Sequence, residues 1–296
     1  MMQFGWLQTI LGVLFLLLPA NQGHAGEKPV YAYQETRDLV ALVEAAAAAV
    51  QQEGEKVFPD FRKEGGRWFK GDHYVFVWDL KGNRYVYPPD LAHERQNLID
   101  LKDVGGKPIG EMFVAAATNK EGRGWVHYQW NRPLELEPEW KSTYILRATA
   151  PSGKTYLVGS GIYQPVMEKA FVVEEVRAAA DLLQQEGRAA FVILRDPKSR
   201  FFFHDTYMFV ITEKGIELVN PAFPALEGRN LWDMQDINGK YMVREFIELA
   251  RKKGEGWVTY FWPKPGAPQM PVKKVTFVKK VLVDKEPMIV AAGMYE

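Results

Sequence analysis

The sequence predicts an α+β fold built from two tandem copies of one unit, each a long N-terminal helix packed on an antiparallel sheet. Three observations predict this fold. A long stretch recurs at a constant spacing, each copy begins with a helical pattern rich in alanine, and each continues into short strands joined by turns. No alternation of strands with crossover helices, which a parallel sheet would need, is present.

The duplication sets the expected domain organisation. Residues 71–110 match residues 204–243 at 16 of 40 positions with a shift of 133, and 122–130 then match 254–262 with a shift of 132. A repeat of about 130 residues has the size of an independent domain. We therefore expect one domain over 26–164 and a second over 165–296.

Each copy shows the same order of elements. The opening helices, 35–52 and 167–186, end at Gly54 and Gly187, because glycine commonly stops a helix. A hairpin, a second helix after Lys107 or Lys240, and three further strands follow. The expected strands are 74–80, 85–87, 125–130, 143–149 and 156–163 in the first copy, with a hairpin at 207–211 and 217–219 in the second.

The N-terminus has the pattern of an export signal. The first 25 residues contain no Lys, Arg, Asp or Glu, and an apolar run, Ile10 to Leu18, is followed by small residues up to Ala25. This predicts a signal peptide, 1–25, cleaved after Ala25, and a periplasmic or secreted product. An uncleaved N-terminal anchor is the alternative. No later apolar run is long enough for a transmembrane helix in the mature chain.

Charge and composition exclude several classes of function. Lys and Arg number 37 and Asp and Glu also 37, so the chain has no basic excess with which to bind nucleic acid. Cysteine is absent, which removes disulfides and thiolate chemistry. The five histidines have no metal-binding spacing, and no nucleophile–base pair is recognisable. We expect no enzyme activity, no metal and no cofactor.

Ordered motifs in both copies resemble a known family. In the second copy they are 214–221, 226–240 and 254–265; in the first they are 79–88, 97–107, 122–133 and the closing 161–163. Together these resemble the single-Cache type 2 domain, a PAS-like extracytoplasmic sensor module. The resemblance implies tandem Cache domains, each with a small-molecule pocket, often for an organic acid, on the sheet face opposite the long helix. The histidine that the family often has before the hairpin proline is replaced by Tyr87 and Asn220.

Residues of the closing strands independently favour a pocket. Because side chains alternate along a strand, Gly159 and Gly161 share one face with Tyr163, which leaves room beside the backbone. Either a ligand or the N-terminal helix could fill that room. Tyr128 and Trp130 lie on one face and Trp125 on the other, as do their copies, and the sequence leaves open which face lines the pocket.

Candidate ligand contacts recur in both copies. Lys141 and Lys273 open the fourth strand, and Arg67 and Arg200 precede the first strand next to an aromatic residue; either cation could hold a carboxylate. Repeated tyrosines complete the predicted site. The set is Arg67, Tyr74, Tyr128, Lys141, Arg200, Tyr207, Tyr260 and Lys273.

The prediction for function is an exported protein that binds a small metabolite, a carboxylate or an amino acid, and reports it to a membrane-bound signalling partner or sequesters it. The alternative is an envelope scaffold that uses the same folds as interaction surfaces without a ligand. An exported hydrolase is the third interpretation, and the absence of a readable nucleophile–base pair counts against it.

Overall fold

The computed structural model describes residues 29–133 and 135–296, so the predicted signal peptide, 1–25, lies outside the described residues. The helices are α1 Gln34–Glu53, α2 Phe58–Phe61, α3 Ile109–Thr118, α4 Lys169–Glu186, α5 Ala190–Arg195 and α6 Met242–Lys253, with short 3-10 helices at Gly54–Val57, Leu91–His93, Gly187–Ala189 and Pro224–Leu226. The strands of the first half are β1 Phe69–Lys70, β2 His73–Tyr74, β3 Phe76–Asp79, β4 Arg84–Val86, β5 Arg123–Asn131, β6 Pro138–Thr149 and β7 Thr155–Tyr163. Those of the second half are β8 Phe202–Phe203, β9 Thr206–Thr212, β10 Glu217–Val219, β11 Glu255–Lys264, β12 Ala267–Val283 and β13 Glu286–Tyr295.

The two halves contain sheets with the same strand order. The first is β4-β3-β7-β6-β5 and the second is β10-β9-β13-β12-β11, with β8 added beside β9. All of these neighbours pair antiparallel, and β1 and β2 form a separate short ribbon. The predicted α+β fold, with a long helix before each antiparallel sheet, is confirmed.

The long helices cover one face of each sheet. Buried positions of α1 recur every three or four residues, for example Leu39, Val43, Ala46 and Val50, which is the stripe of an amphipathic helix. Alanine at the contact lets the helix lie close to the valines of β3 and β7. Gly54 ends α1 with φ of 63°, and Gly187 ends α4 with φ of 62°, as the sequence predicts.

Shorter helices cover the opposite face. Along β3 the side chains alternate, so Val77 packs toward α1 whereas Phe76 and Trp78 pack against Phe113 of α3. In the second half, Phe209 packs in the same way against Phe246 of α6. Each sheet is therefore enclosed between a long and a short helix.

The halves are joined by contacts that the sequence did not predict. Residues 31–296 form one compact unit. The Lys107 ammonium, in the loop before α3, donates to the carbonyls of Pro197 (3.3 Å), Ser199 (2.5 Å) and Phe202 (2.6 Å). Because it is buried, the pKa of Lys107 is lowered to about 8.

Removing this ammonium is expected to destabilise the protein. Lys107→Met leaves three carbonyls without a donor, which costs about 1–3 kcal/mol each. It also removes the desolvation cost of an ammonium whose pKa is lowered to about 8, which is roughly 3 kcal/mol at pH 7. Because three acceptors are left here, against two hydroxyls at Lys141, we expect a net fall in the free energy of unfolding of about 2–3 kcal/mol. Lys240→Met is the matched control, since the equivalent Lys240 donates only to the Thr259 carbonyl and pairs with Glu245 at the surface. Lys240→Met should lower the free energy of unfolding by no more than about 1 kcal/mol. Urea unfolding measures both, and equal losses would contradict the assigned role of Lys107.

Candidate functional site

Each half contains a cavity between its sheet and its short helix. The cavity of the first half has an empty volume of about 320 Å³ and that of the second about 340 Å³, part of each open to solvent. The first is lined by Tyr74, Phe76, Trp78, Arg84, Tyr87, Leu101, Ile109, Phe113, Tyr128 and Trp130. The second is lined by Tyr207, Phe209, Ile211, Glu217, Asn220, Leu226, Leu231, Met242, Val243, Phe246, Tyr260 and Trp262.

A buried lysine lies behind the tyrosines of each cavity. In the first half the Lys141 ammonium donates to the hydroxyls of Tyr74 (2.9 Å) and Tyr163 (3.1 Å), and only 1% of the residue is exposed. In the second half Lys274, with 0% exposed, donates to the Tyr207 hydroxyl at 2.9 Å. Among the ion pairs of the described residues, none includes Lys141 or Lys274.

Burial sets the protonation behaviour of these groups. It disfavours the charged ammonium and lowers the pKa of both Lys141 and Lys274 to about 7. The same burial raises the pKa of Tyr74 and of Tyr207 well above the usual value, so both keep their hydroxyl protons at neutral pH. Each cavity therefore has neutral hydroxyls backed by an amine that titrates near neutrality.

Glycines make space for the lysine stems. A Cβ added to Gly161 would lie 2.6 Å from Cε of Lys141, and one added to Gly293 would lie 2.6 Å from Cε of Lys274. The small-residue face of the closing strand therefore lies on the same side of the sheet as the cavity, and the lysine stem occupies the room that the sequence left to either a ligand or the N-terminal helix.

The structure places the four predicted tyrosines at the cavities. Tyr74 and Tyr128 line the first cavity, and Tyr207 and Tyr260 line the second. The Tyr128 hydroxyl bonds to the Thr143 hydroxyl at 2.9 Å. The aromatic set that lines the pocket is Tyr128 with Trp130 and, in the copy, Tyr260 with Trp262, whereas Trp125 packs on the opposite face beside α1.

Lys273 does not lie at the cavity. It is paired with Phe261 on the opposite face of the sheet, its side chain is 50% exposed, and its ammonium contacts Glu296 at 2.5 Å. The residue equivalent to Lys141 is Lys274, since Lys141 pairs with Tyr128 and Lys274 with Tyr260. The shift between copies returns from 132 to 133 in the β11–β12 hairpin, and a slip of one residue moves a side chain to the other face.

The two arginines also lie away from the cavities. Arg67 is exposed, with its guanidinium over the Trp68 ring at 4.4 Å. Arg200 forms a two-pronged bond to Glu175 of α4, at 2.8 and 2.6 Å. Neither lines a cavity, so the structure does not bring these predicted anchors to the site.

The sequence reasoning missed Arg84 and Glu217, which occupy equivalent positions in the two cavities. A bulge in each hairpin shifts the pairing, so Val86 faces Val77 on the helix side while Arg84 faces Trp78 on the cavity side. The same irregularity separates Val219 from Glu217. With strict alternation, Arg84 and Val86 would lie on one face of the sheet, and so would Glu217 and Val219. The sequence signal at this position is the change from arginine in the first copy to glutamate in the second.

The described residues contain neither a metal-ligand cluster nor a helix suited to crossing a membrane. No group of three or more histidine, aspartate or glutamate side chains there could hold a metal ion. Among the helices of that same part of the chain, none combines the length and apolar character needed to cross a membrane.

Comparison with protein families decides the relationship. A model described as "Single Cache domain 2" matches residues 33–163, and a model described as "Cache domain" matches residues 194–295. The chain belongs to the Cache domain family. The tandem Cache arrangement and the PAS-like sensor class predicted from the sequence are thereby confirmed.

Two relatives of these Cache domains are a chemotaxis protein and a sensor histidine kinase. The chain is 30% identical over 144 residues to the methyl-accepting chemotaxis protein McpP of Pseudomonas putida, an alignment covering 45% of this chain and 26% of that protein. It is 35% identical over 93 residues to the sensor histidine kinase MctS of Rhizobium johnstonii, covering 31% of this chain and 19% of the kinase. The matched part is thus about a quarter or less of each relative.

A solved structure titled as the periplasmic sensor domain of a chemotaxis protein is also similar. It is 31% identical, and the alignment covers 43% of this chain and 94% of that domain with a TM-score of 0.39.

Proposed function

We propose that the chain is an exported sensor-type protein, with one Cache domain over 26–164 and one over 165–296, that binds a small carboxylate-bearing metabolite. The observation that supports this best is the buried Lys141 behind the first cavity, which contacts the hydroxyls of Tyr74 and Tyr163 and is in no described ion pair. A buried charge is costly unless it is paired. A ligand carboxylate would supply the missing partner and accept hydrogen bonds from the same hydroxyls.

The shape of the cavity suits a short ligand. Rings enclose it on several sides in the first half, where Phe113 lies 5.5 Å from Tyr128 and 5.4 Å from Phe76 between ring centroids. Apolar walls exclude water and strengthen the attraction between a carboxylate and the ammonium. The proposed mode is therefore a carboxylate directed at the lysine and a small apolar body against the rings, without turnover.

The proposed output is a signal to a membrane-bound partner. Curated relatives that carry a related domain are a chemotaxis protein and a sensor histidine kinase. Ligand binding that orders the short helix over a cavity, α3 or α6, and the loop before it would alter the surface that such a partner contacts. Export through the predicted signal peptide would place the protein where these sensor domains meet their ligands.

The alternative, a scaffold without a ligand, is supported by the narrowness of the cavities. The enclosed free space of each admits only about two or three water molecules. The two functions differ in a measurable way, because only the first predicts stabilisation by a small molecule.

A thermal-shift screen of the full chain tests the proposal, with propionate, lactate, pyruvate and single amino acids as probes. A probe present at about 100 times its Kd should stabilise the protein by about 2.7 kcal/mol and raise the Tm. Propionamide, uncharged and similar in shape to propionate, is the matched control and should give no shift. If no carboxylate raises the Tm, the scaffold function is favoured.

Carboxylate binding should weaken as the pH rises. The ammonium form of Lys141 is needed to pair with an anion, and its pKa in the empty cavity is about 7. Affinity should be steady below about pH 7 and fall about tenfold per pH unit above it. Tyr74, Tyr163, Asp72 and Arg132 surround this amine. Calorimetric titration of propionate from pH 6 to 9 measures the slope, and a constant affinity would exclude Lys141 as the anion partner.

A further inference from the structure

The two cavities differ in charge at one position. Arg84 lines the first cavity and Glu217 lines the second, at equivalent places after the hairpin bulge. Both are buried, with 6% and 3% of the residue exposed. The Arg84 guanidinium lies 4.1 Å from the Tyr87 ring and donates to the His93 carbonyl. The Glu217 carboxyl accepts from the Asn220 amide at 2.8 Å.

Other charges around the cavities are matched between the halves. The pair Arg62–Glu94 beside the first hairpin corresponds to Arg195–Glu227 beside the second. The pair of Arg132 with Asp72 likewise corresponds to that of Lys264 with Asp205.

One further acid, Asp90, is near Arg84 and has Phe223 as its counterpart. Its side chain is at the surface, 45% exposed, and bonds to His93. The exchange of Arg84 for Glu217 is therefore the charge difference inside the cavities.

This exchange changes the net charge that a ligand meets. The first cavity has one cationic group in its wall, Arg84, and a second cation, Lys141, lies behind its tyrosines. The second cavity has the Glu217 carboxyl in its wall, and Lys274 lies behind Tyr207. Burial raises the pKa of Glu217 to about 7 and lowers that of Lys274 to about 7. An ammonium on Lys274 and a carboxylate on Glu217 have opposite charges that cancel, whereas Lys141 and Arg84 have charges of the same sign.

We propose that the two cavities take different classes of ligand: the first binds a small monocarboxylate, and the second binds a molecule of no net charge that donates a hydrogen bond to Glu217. An anion entering the second cavity would meet a carboxyl in place of the guanidinium, and this repulsion cancels the attraction of the lysine. A hydroxyl or amine group on a neutral or zwitterionic molecule satisfies Glu217 instead. The inference depends on the proposed function, since it assumes that the cavities bind ligands.

Calorimetric titration of the full chain with propionate at pH 7 tests the division. The wild-type protein should bind one propionate per chain. Glu217→Gln, which removes the charge and keeps an acceptor for Asn220, should bind two. Arg84→Gln should weaken the first site by at least about tenfold. The double variant Lys141→Met with Glu217→Gln should keep one site, which assigns that site to the second cavity.

Circular dichroism and the Tm first establish that each variant is folded, so that a change in the number of propionate sites reports on the cavities. Two equal propionate sites in the wild-type protein would overturn the division of ligands while supporting the proposed function. One site in both the wild-type protein and Glu217→Gln would also overturn it, because Glu217 would then not be what excludes the anion. No propionate binding by any of these proteins would contradict this inference, whereas the proposed function fails only if no carboxylate in the thermal-shift screen raises the Tm.

Discussion

Lys141→Met is expected to abolish carboxylate binding in the first cavity while making the protein more stable at neutral pH. In the folded protein the pKa of Lys141 is lowered to about 7 by burial. A shift of this size from the unfolded value of about 10.4 costs roughly 4 kcal/mol at pH 7. Methionine has a similar length and no charge to desolvate. Part of the gain is lost because the Tyr74 and Tyr163 hydroxyls lose a donor, and a net stabilisation of about 1–3 kcal/mol is expected.

The sign of this effect depends on pH. Between about pH 7 and 10 the unfolded chain binds the lysine proton more tightly than the folded one, so wild-type stability rises with pH through this window. The advantage of Lys141→Met should therefore be complete below about pH 7 and shrink as the pH rises, and at about pH 10 the variant should be the less stable protein because the lost hydrogen bonds remain. Urea unfolding at several pH values measures it, alongside propionate titration.

Lys273→Met is the matched control for Lys141→Met. Lys273 is a half-exposed lysine on the opposite face of the second sheet. Its replacement should change stability by no more than about 0.5 kcal/mol and leave propionate binding intact. A less stable Lys141→Met protein at pH 7, or one that binds propionate normally, would show that Lys141 is structural rather than part of the site.

Arg200→Met is expected to destabilise the protein strongly without affecting the first cavity. Glu175, the partner of Arg200, is 1% exposed, while the arginine side chain is 29% exposed. Removing the guanidinium leaves a buried carboxylate without its cation, beside Glu174, whose own pKa burial raises to about 7. Loss of one partner of a fully buried pair costs about 3–5 kcal/mol, and the partial exposure of Arg200 reduces this to about 2–4 kcal/mol.

Arg67→Met is the control, because Arg67 has the equivalent place in the first half but lies exposed on Trp68. It should cost less than about 1 kcal/mol. Urea unfolding compares the two variants. A similar fall in the free energy of unfolding in both variants would mean that Arg200 does not stabilise Glu175. A weaker propionate affinity in folded Arg200→Met would show that Arg200 contacts the ligand.

The sequence predicted the framework well because the framework depends on local patterns. Gly54 and Gly187 mark the ends of the long helices, since both need a positive φ. The repeat itself indicated that one sheet design occurs twice, and the alternation along β3 and β9 separated helix-facing from cavity-facing residues.

The site was predicted only in part, because its details depend on register and on distant packing. Lys273 was chosen in place of Lys274 because the shift between copies changes by one residue in a hairpin. Arg84 and Glu217 were hidden by a bulge that reverses the usual alternation. Arg200 looked like a ligand anchor, but its partner Glu175 lies on a helix 25 residues earlier, and no local pattern connects them.

The bond between Lys107 and the second half has a consequence for dissecting the protein. Trp125 and His127 of the first sheet pack against Phe171, and His127 also stacks on Phe203 with ring centroids 4.2 Å apart. In a fragment that ends after the first repeat, these aromatic rings would be exposed to water, and the Lys107 ammonium would lose its three carbonyl partners. Such a fragment is expected to self-associate or aggregate, so each half acts as the solubilising cover of the other.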